Sequence, residues 1–351
     1  MAYRKMRYLF VTILISGMAM TPCTSIRSND NADLITIGLA GDVMLGRLVN
    51  EEINKHGYAY PWGDMIDELR TNDLNLVNLE TTLTKSNKQV IKVFNFKADP
   101  NKVKTLKEGN IGAVNLANNH ILDFSSEGLK ETIDVLDKAH IQHVGAGPNA
   151  AAAKEPAIIE IKGSKIGIIG YTDNEPTWKA GAHKAGTNYI LVGQIDQVKT
   201  DIKNLRDKVD LLILSIHWGP NMREEPNRRF VDFAHELINA GVDIIHGHSA
   251  HVIQGIEIYK NKVILYDTGD FVDDYMVGPE LRNDYTFLFR IVAQKSKIKE
   301  LSLVPALIKN MQVNHAPTVD REIMEERIKN LSRQFGTKFE MSGNALKVKL
   351  P

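Results

Sequence analysis

The sequence predicts an α/β fold built around a mixed β-sheet system. Short, near-continuous apolar runs recur along the chain, as expected for strands buried on both faces. Amphipathic segments with helical spacing lie between several of these runs. Two further apolar runs flank Lys162–Lys165, which is a hairpin signal, so the sheets are not expected to be purely parallel.

The apolar runs predict strands along most of the chain. Beyond Tyr285 we expect two more strands, then a charged helix over Val319–Phe335 and a last short strand. The nine expected strands are Ile35–Gly41, Leu74–Leu79, Ile111–Leu116, Ile166–Tyr171, Val209–Ile216, Val242–His246, Val263–Tyr266, Thr286–Val292 and Leu301–Ile308.

Three stripes of apolar residues at helical spacing predict helices between the strands. Ser125 and Ser126 are candidate caps for the first helix, and Gly241 closes the third. The stripes are Leu129, Ile133 and Leu136; Ile195, Val198, Ile202 and Leu205; and Phe230, Phe233, Ala234 and Leu237.

The N-terminus has the composition of an export signal. Three basic residues (Arg4, Lys5 and Arg7) precede the apolar run Leu9–Met20. A bilayer-spanning helix needs about 20 apolar residues, so this run is short for one; a buried N-terminal helix is the alternative. The polar stretch Thr24–Asp33 is expected to be a tether. We therefore divide the chain into a signal or anchor segment with tether, 1–33, and one domain, 34–351.

The fate of that segment stays open. Cys23 lies where a lipoprotein cysteine is expected, but Pro22 is a poor match for the small residue that precedes such a cysteine. We expect an extracytoplasmic protein that is membrane-associated, through a signal anchor or a lipid on Cys23, or secreted. A single cysteine excludes an intrachain disulfide and a cysteine-based zinc cluster.

The charge balance argues against nucleic acid as a partner. Lys+Arg and Asp+Glu both number 43, so the formal net charge is zero. No run of basic residues with interleaved aromatics stands out.

Polar residues follow the predicted strands at their carboxyl ends, where open α/β sheets bind ligands. The strand-end segments are Gly41-Asp42, Asn78-Leu79-Glu80, Asn118-Asn119-His120, His217-Trp218-Gly219 and His246–His251. The last of them, with three histidines in six residues, is the strongest single indication of a ligand site.

Carboxylates, amides and imidazoles at neighbouring strand ends predict a metal site. This donor set suits Mn, Fe or Zn better than Ca or Mg. A carboxylate can bridge two cations, so one or two ions are expected. Each segment also has a structural interpretation, as a turn after Gly41, a helix cap at Asn118-Asn119, or a buried core histidine at His217.

Together these segments resemble a known family, the CapA (poly-γ-glutamate synthesis protein) branch of the metallophosphatase superfamily. The resemblance extends over about Thr36 to Phe289. It is carried by Gly41-Asp42-Val43-Met44-Leu45-Gly46-Arg47, Asn78-x-Glu80, Asn119-His120, His217, Gly247-His248-x-x-His251-Val252-Ile253-Gln254-Gly255-Ile256-Glu257 and Tyr266-Asp267-Thr268-Gly269-Asp270-Phe271.

The resemblance implies a four-layer sandwich with two mixed sheets face to face and helices outside. It also implies association with the membrane surface, beside the embedded machinery that makes and exports an anionic glutamate polymer. By the same resemblance His120 is the general acid, with Asp123 orienting it. The implied metal ligands are Asp42 and His251 for one ion, Glu80 as the bridge, and Asn119, His217 and His248 for the other.

Three departures from the phosphatase pattern affect that site. Met44 stands where phosphatases have a histidine, so the first ion lacks a ligand that His246 is a candidate to replace. Glu80 stands where an aspartate is usual. The last motif is His-x-x-His, with one residue more than His-x-His.

Four further residues near these motifs are candidate substrate-binding groups. Arg47 and Lys97 could meet an anion, and Trp218 and Arg223 follow the His217 strand. An exposed surface arginine and a core tryptophan are the structural alternatives.

Three functions fit these features. The first is a capsule-polymer synthesis or export factor with a metal-dependent hydrolase-type site. The second is a non-enzymatic accessory subunit that binds the polyanion or the synthase. The third is an exported metal-dependent phosphoesterase unrelated to capsule.

Overall fold

The computed structural model describes residues 33–343 and 345–350. Residues Asp33–Pro351 form one compact unit. Most of the predicted N-terminal segment, including the basic residues, Leu9–Met20 and Cys23, lies outside the described residues. Within the described ranges no helix has both the length and the apolar character needed to cross a bilayer.

The strands of the described ranges fall into two large sheets and two small ones. They are β1 (Ile35–Val43), β2 (Leu74–Leu79), β3 (Thr82–Leu83), β4 (Lys97–Ala98), β5 (Ile111–Asn115), β6 (Gln142–Val144), β7 (Ala146–Gly147), β8 (Ala157–Ile161), β9 (Ser164–Thr172), β10 (Gly186–Thr187), β11 (Leu211–His217), β12 (Ile244–His248), β13 (Ile256–Tyr259), β14 (Lys262–Leu265), β15 (Asp270–Val272), β16 (Tyr285–Gln294), β17 (Lys297–Lys309), β18 (Gln312–His315), β19 (Phe339–Ser342) and β20 (Ala345–Val348).

The α-helices lie mostly between strands in the chain. They are α1 (Arg47–His56), α2 (Ile66–Arg70), α3 (Val103–Glu108), α4 (Ser125–Ala139), α5 (Ala150–Lys154), α6 (Asp196–Arg206), α7 (Arg228–Ala240) and α8 (Thr318–Ser332). Short 3₁₀ turns occur at Tyr60–Met65, Pro100–Lys102, Pro176–Trp178 and Arg333–Phe335.

Both large sheets are mixed. The ten-stranded sheet has the order β19-β20-β17-β16-β1-β2-β5-β6, with β15 paired to β1 and β18 paired to β17. Its β1, β2, β5 and β6 are parallel, whereas β16 runs antiparallel to β1. The six-stranded sheet, β13-β14-β12-β11-β9-β8, is parallel in its centre and antiparallel at both edges.

Alternate residues of each central strand enter different cores, which gives four layers. On β1, Ile37 and Leu39 face the other sheet together with Ile213 of β11. The outer face of the first sheet packs against α1, α3 and α4. The outer face of the second packs against α6 and α7 through residues such as Leu214 and Phe233. The expected fold class, two mixed sheets flanked by helices, is confirmed.

Several local predictions needed correction. Helix α4 begins at Ser125, which has a φ of 62°, and the preceding Phe124 is its cap residue, without a side-chain cap bond. The serine capping prediction was therefore wrong. Two terminal strands, β19 and β20, form a hairpin where one was expected. The nine predicted strands are all present, with ends shifted by a few residues.

Candidate metal centre

Asp42 reaches the centre of the molecule because a glycine precedes it. A Cβ on Gly41 would lie 1.7 Å from the Gly269 carbonyl oxygen, so only glycine permits this close approach. The Asp42 N–H donates to the same carbonyl at 2.9 Å. Its carboxylate is fully buried and accepts a hydrogen bond from Asn78 Nδ2 at 2.8 Å. Asn78 thereby fixes the position of Asp42.

His217 and His248 lie side by side because β11 and β12 are parallel and in register at these two residues. Their Nδ1 atoms are 3.0 Å apart. The Asp42 Oδ1 atom is 3.9 Å from His217 Nδ1 and 3.6 Å from His248 Nδ1. All three side chains are buried. One donor atom from each residue lies within 4.8 Å of the other two, a spacing that suits a shared cation.

Asp42, Glu80 and His251 form a second group with the same spacing of donor atoms. His251 Nδ1 is 3.3 Å from Asp42 Oδ2 and 2.9 Å from Asp270 Oδ1. Glu80 Oε1 lies 4.0 Å from His217 Nε2, which connects the two groups. The residue common to both is Asp42, whereas the family resemblance implies Glu80 as the bridge.

The turn that carries His251 has a strained backbone. Ser249 and His251 both have positive φ, 116° and 59°, which non-glycine residues rarely adopt. The buried Asp267 carboxylate stabilises the turn by accepting the N–H groups of Ala250 at 2.7 Å and Gly269 at 2.8 Å. Asp267 therefore positions His251 from outside the donor set.

The donor set is well suited to a cation because its polar atoms are buried without hydrogen-bond partners. Burying such atoms is costly unless another ligand satisfies them. Among the described residues of the centre, three carboxylates, one amide and one imidazole each have a buried atom without a hydrogen-bond partner. The atoms are Asp42 Oδ2, Glu80 Oε1, Asn119 Oδ1, His217 Nε2 and Asp270 Oδ2.

In the first group, Asp42, His217 and His248, the pKa shifts favour an ionised carboxylate and neutral imidazoles, which are the forms that bind a metal ion. Burial opposes ionisation of Asp42, but the nearby rings of His251, His217 and His248 hold its pKa below the ordinary value. Burial lowers the pKa of His217 to about 3 and that of His248 well below its usual range. These rings are neutral at pH 7, with lone pairs available to a cation.

The second group holds opposing charges. Burial, and then repulsion by Asp42, raise the pKa of Glu80 well above its usual value. Burial works against a charge on His251, yet the Asp270 carboxylate beside it raises the pKa of that ring. A divalent cation between Asp42 and Glu80 would remove their mutual repulsion.

His120 lies next to the donor set and is oriented by Asp123. Its Nδ1 is 2.6 Å from Asp123 Oδ2, and its Nε2 is 3.6 Å from Glu80 Oε1. Burial lowers the pKa of His120, partly offset by Asp123. Phe96 covers the ring at 4.1 Å between centroids. Asp123 also accepts the Phe96 N–H at 2.7 Å, so it holds both residues.

The structure also shows where the remaining metal candidates lie. The Asn119 side-chain oxygen is buried and unpartnered. His246 does not replace the ligand missing at Met44: its Nε2 bonds the Ala40 carbonyl at 2.9 Å and its Nδ1 bonds Ser215 Oγ at 3.1 Å. Both ring nitrogens are thus occupied, and that suggestion was wrong.

The four candidate substrate-binding residues fall into two groups: Arg47 lies beside the segment that carries Lys97, and Trp218 shares a cavity with Arg223. Arg47 pairs with Asp274 at 3.1 Å, and Lys97 Nζ donates to Ser86 O and Asn87 Oδ1. Trp218 is 3% exposed and donates to Tyr266 O, which is a core role, although it also lines a cavity of about 170 Å³ with Arg223. Within the described ranges no hydrogen bond or ion pair joins Lys97, Trp218 or Arg223 side chains to the metal donors.

Sequence reasoning missed several residues of the centre. Lys92 Nζ lies 3.2 Å from Asp123 Oδ1 and also donates to the Asn119 carbonyl. The Tyr275 ring lies 5.2 Å from His251. Both come from irregular segments, which carry no periodic signal. The Asp267–Asp270 segment was visible as a family-like motif, but the positioning role of Asp267 was not.

The family model for the bacterial capsule synthesis protein PGA_cap matches residues 36–275, more than half of the chain. The chain belongs to this family. A "Probable polyglutamine synthesis accessory protein" of Mycobacterium tuberculosis is 32% identical over 354 residues, covering 87% of this chain and 93% of that protein.

Two further relatives of the chain are named for capsule or PGA biosynthesis. The capsule biosynthesis protein CapA of Bacillus anthracis is 31% identical, over 74% of this chain and 66% of that protein. The PGA biosynthesis protein CapA of Bacillus subtilis is 30% identical, over 76% of this chain and 70% of that protein.

Similarity to solved structures is lower. A 5′-nucleotidase precursor of Thermus thermophilus has a TM-score of 0.45 and 13% identity, covering 86% of this chain and 59% of that chain. The sulfate thiohydrolase SoxB of the same organism has a TM-score of 0.41 and 10% identity, covering 85% and 60%. These values are too low to assign an activity.

Proposed function

We propose that this PGA_cap family protein is an exported, membrane-associated factor in poly-γ-glutamate capsule synthesis or export, with a divalent-metal centre of the hydrolase type. Family membership and the names of the relatives support the pathway. The proposed partners are the anionic glutamate polymer, the membrane surface and the membrane-embedded synthase or export components. The N-terminal sequence pattern supports export.

One observation carries the metal proposal: buried donors from separate strands converge, and several of their polar atoms lack partners. Asp42, His217 and His248 would hold one ion, and Asp42, Glu80 and His251 a second. Asn119, whose buried side-chain oxygen has no partner, is a further candidate ligand. Imidazole and carboxylate donors suit Mn, Zn or Fe. A bound ion would supply Lewis-acid polarisation of a phosphoryl or acyl oxygen.

His120 is the proposed proton-transfer group. With its Nδ1 proton donated to Asp123, the neutral ring presents a lone pair at Nε2, which faces Glu80. A proton taken up at Nε2 can then be given to a leaving oxygen, as a general acid does. Asp123 and Phe96 fix the ring plane. Asp123 acts on the reaction only through His120.

A second candidate, a non-catalytic accessory subunit, is supported by the depth of the centre. Asp42, Glu80, His217, His248 and His251 are at most 1% exposed. A substrate can reach them only if covering segments move. A metal ion held at this depth would stabilise the two-sheet junction whether or not turnover occurs.

The cellular test uses a strain that makes the polymer. Deleting the gene should abolish or sharply lower the amount of polymer, and the wild-type chain should restore it. His248→Ala should not restore it, whereas His235→Ala, in a cluster away from the centre, should. Normal polymer yield in the deletion strain would contradict the pathway assignment.

Turnover separates the two candidates in vitro. Metal-loaded protein that hydrolyses an aryl phosphate or the polymer, with the activity lost in Asp42→Ala, supports the hydrolase. Stoichiometric metal without turnover of either supports the accessory role. Aryl phosphate turnover in a protein whose loss leaves polymer yield unchanged supports a phosphoesterase unrelated to capsule.

A further inference from the structure

Exposed apolar side chains are concentrated beside the metal centre. Within the described ranges twelve large hydrophobic side chains are exposed, and half of them belong to three neighbouring segments. The most protruding are Ile91 at 108%, Met276 at 92% and Val93 at 87% relative exposure. We call this set the apolar rim: Leu48, Ile91, Val93, Phe94, Met276 and Val277.

The three segments of the apolar rim contact one another. The Arg47 guanidinium lies 5.6 Å from the Phe94 ring and pairs with Asp274 at 3.1 Å. The Leu48 N–H donates to the same Asp274 carboxylate. The loop that carries Ile91, Val93 and Phe94, the start of α1 and the segment after β15 therefore form one continuous surface.

The inner side of this surface touches the metal centre. Phe96, two residues after Phe94, contacts the His120 ring at 4.1 Å between centroids, and Tyr275, next to Met276, contacts the His251 ring at 5.2 Å. The Phe96 and Tyr275 rings are 6.3 Å apart. Whatever covers the apolar rim thus lies next to the centre.

The high exposure of the apolar rim suits contact with the hydrocarbon of a lipid bilayer. Ile91, Val93 and Met276 are at least 87% exposed, so little of their surface packs against the rest of the protein, whereas a protein partner would need a packed, complementary surface. Hydrocarbon needs no such fit. Two ion pairs flank this surface: Arg47 pairs with Asp274, and Lys88 pairs with Glu127 at 2.5 Å. Attraction to this surface is therefore expected to be apolar rather than electrostatic.

We propose that the apolar rim inserts into the surface of a lipid bilayer and holds the metal centre against the membrane. This inference rests on the proposed membrane association and specifies the face that meets the lipid. The substrate would then be drawn from molecules at the bilayer surface, such as polymer emerging from it.

The test uses the full chain in neutral phosphatidylcholine vesicles. In a Cys23→Ala background, Val93→Cys carries an environment-sensitive fluorophore, and the matched control is Val319→Cys, an accessible aliphatic position on α8 at 69% exposure. We expect the label at position 93 to shift to shorter wavelength and to be quenched by lipids brominated on their acyl chains. The label at position 319 should show neither change.

A second pair of variants tests whether the rim acts as one surface. With the label at Met276→Cys, the Ile91→Asp/Val93→Asp variant should lower quenching about tenfold or more. Val319→Asp/Ile323→Asp should leave it unchanged. The quenching should also persist in about 1 M NaCl, where the screening length is only about 3 Å.

Three outcomes overturn the proposal: a label at position 93 that behaves like the one at 319, quenching lost in high salt, or a chain that does not float with the vesicles. Metal content is measured on the same samples. Vesicle binding without quenching at 93 contradicts the rim proposal but leaves membrane association standing. Quenching without bound metal leaves the rim standing and contradicts the metal centre.

Discussion

Two polar clusters of this protein differ in whether their polar atoms have hydrogen-bond partners. In the first, Glu257 accepts His235 Nε2 at 2.8 Å on one oxygen and the Tyr266 hydroxyl at 2.6 Å on the other. In the second, the metal centre, Asp42 Oδ2, Glu80 Oε1 and His217 Nε2 are buried without partners. The first cluster is complete as a structural element. In the second cluster the buried polar atoms without partners cost free energy, and a bound ligand would satisfy them.

The largest expected difference between the two clusters is in metal affinity after one side chain is removed. Asp42→Ala or His248→Ala should weaken metal affinity by several hundredfold or more, because each removes a proposed ligand. His235→Ala should leave affinity unchanged. Competition with a chromogenic chelator measures this. Equal metal affinity in all three variants would contradict the distinction.

Replacing His120 should affect turnover without affecting the metal. If the protein is a hydrolase, His120→Ala should lower kcat by about 10²–10⁴-fold, since a positioned acid contributes that much. Metal content by plasma mass spectrometry should stay at the wild-type level. Loss of metal in this variant would make His120 a ligand and its proton-transfer role wrong.

Replacing Asp267 should have a smaller effect on the metal. Asp267→Ala removes the acceptor of the Ala250 and Gly269 N–H groups, so the His251 turn should lose its position and metal affinity should fall about 10–100-fold. Asp267→Asn retains one acceptor oxygen and should recover part of this loss. Identical affinities for wild type and Asp267→Ala would show that the turn needs no such support.

The satisfied cluster should matter for stability instead. Tyr266→Phe removes the donor to Glu257 Oε2, and the free energy of unfolding should fall by about 1–3 kcal/mol, because a buried oxygen loses its partner. Urea unfolding measures this change, and metal affinity should not move. A neutral effect on stability would mean that water replaces the hydroxyl.

The smallest predicted effect has the opposite sign. In chelator-treated protein, Glu80→Gln should raise stability by about 1 kcal/mol, about 2 °C in Tm for a domain of this size. The amide avoids the burial of a carboxylate beside Asp42, which raises the pKa of Glu80 in the wild type. With metal present the sign should reverse. A destabilised metal-free variant would contradict the view that this centre is strained without a ligand.

Strand positions and strand-end chemistry could be predicted because they have local signals. Apolar runs such as Leu74–Leu79 are strands as expected, and the polar residues after them do converge. The two-residue strands β3 and β4 carry no periodicity, and α1 buries only Val49 and Ile53, so these elements were missed.

The geometry within the site depended on tertiary structure. That Asp42 is common to both donor groups depends on the β1–β2 and β11–β12 registers and on the packing of the two sheets, which no single segment encodes. Lys92 and Tyr275 approach the centre from irregular segments. The hydrogen bonds of His246 to Ala40 and Ser215, which exclude it as a ligand, also become visible only once the two sheets are packed.

The central claim is that the strand-end cluster holds a divalent ion. The most direct test is a crystal structure grown with Mn²⁺, with an anomalous difference map. We predict a peak at coordination distance from Asp42, His217 and His248, and a second, if present, at Asp42, Glu80 and His251. A map without a peak at this cluster, with Mn²⁺ bound elsewhere or not at all, would contradict the claim.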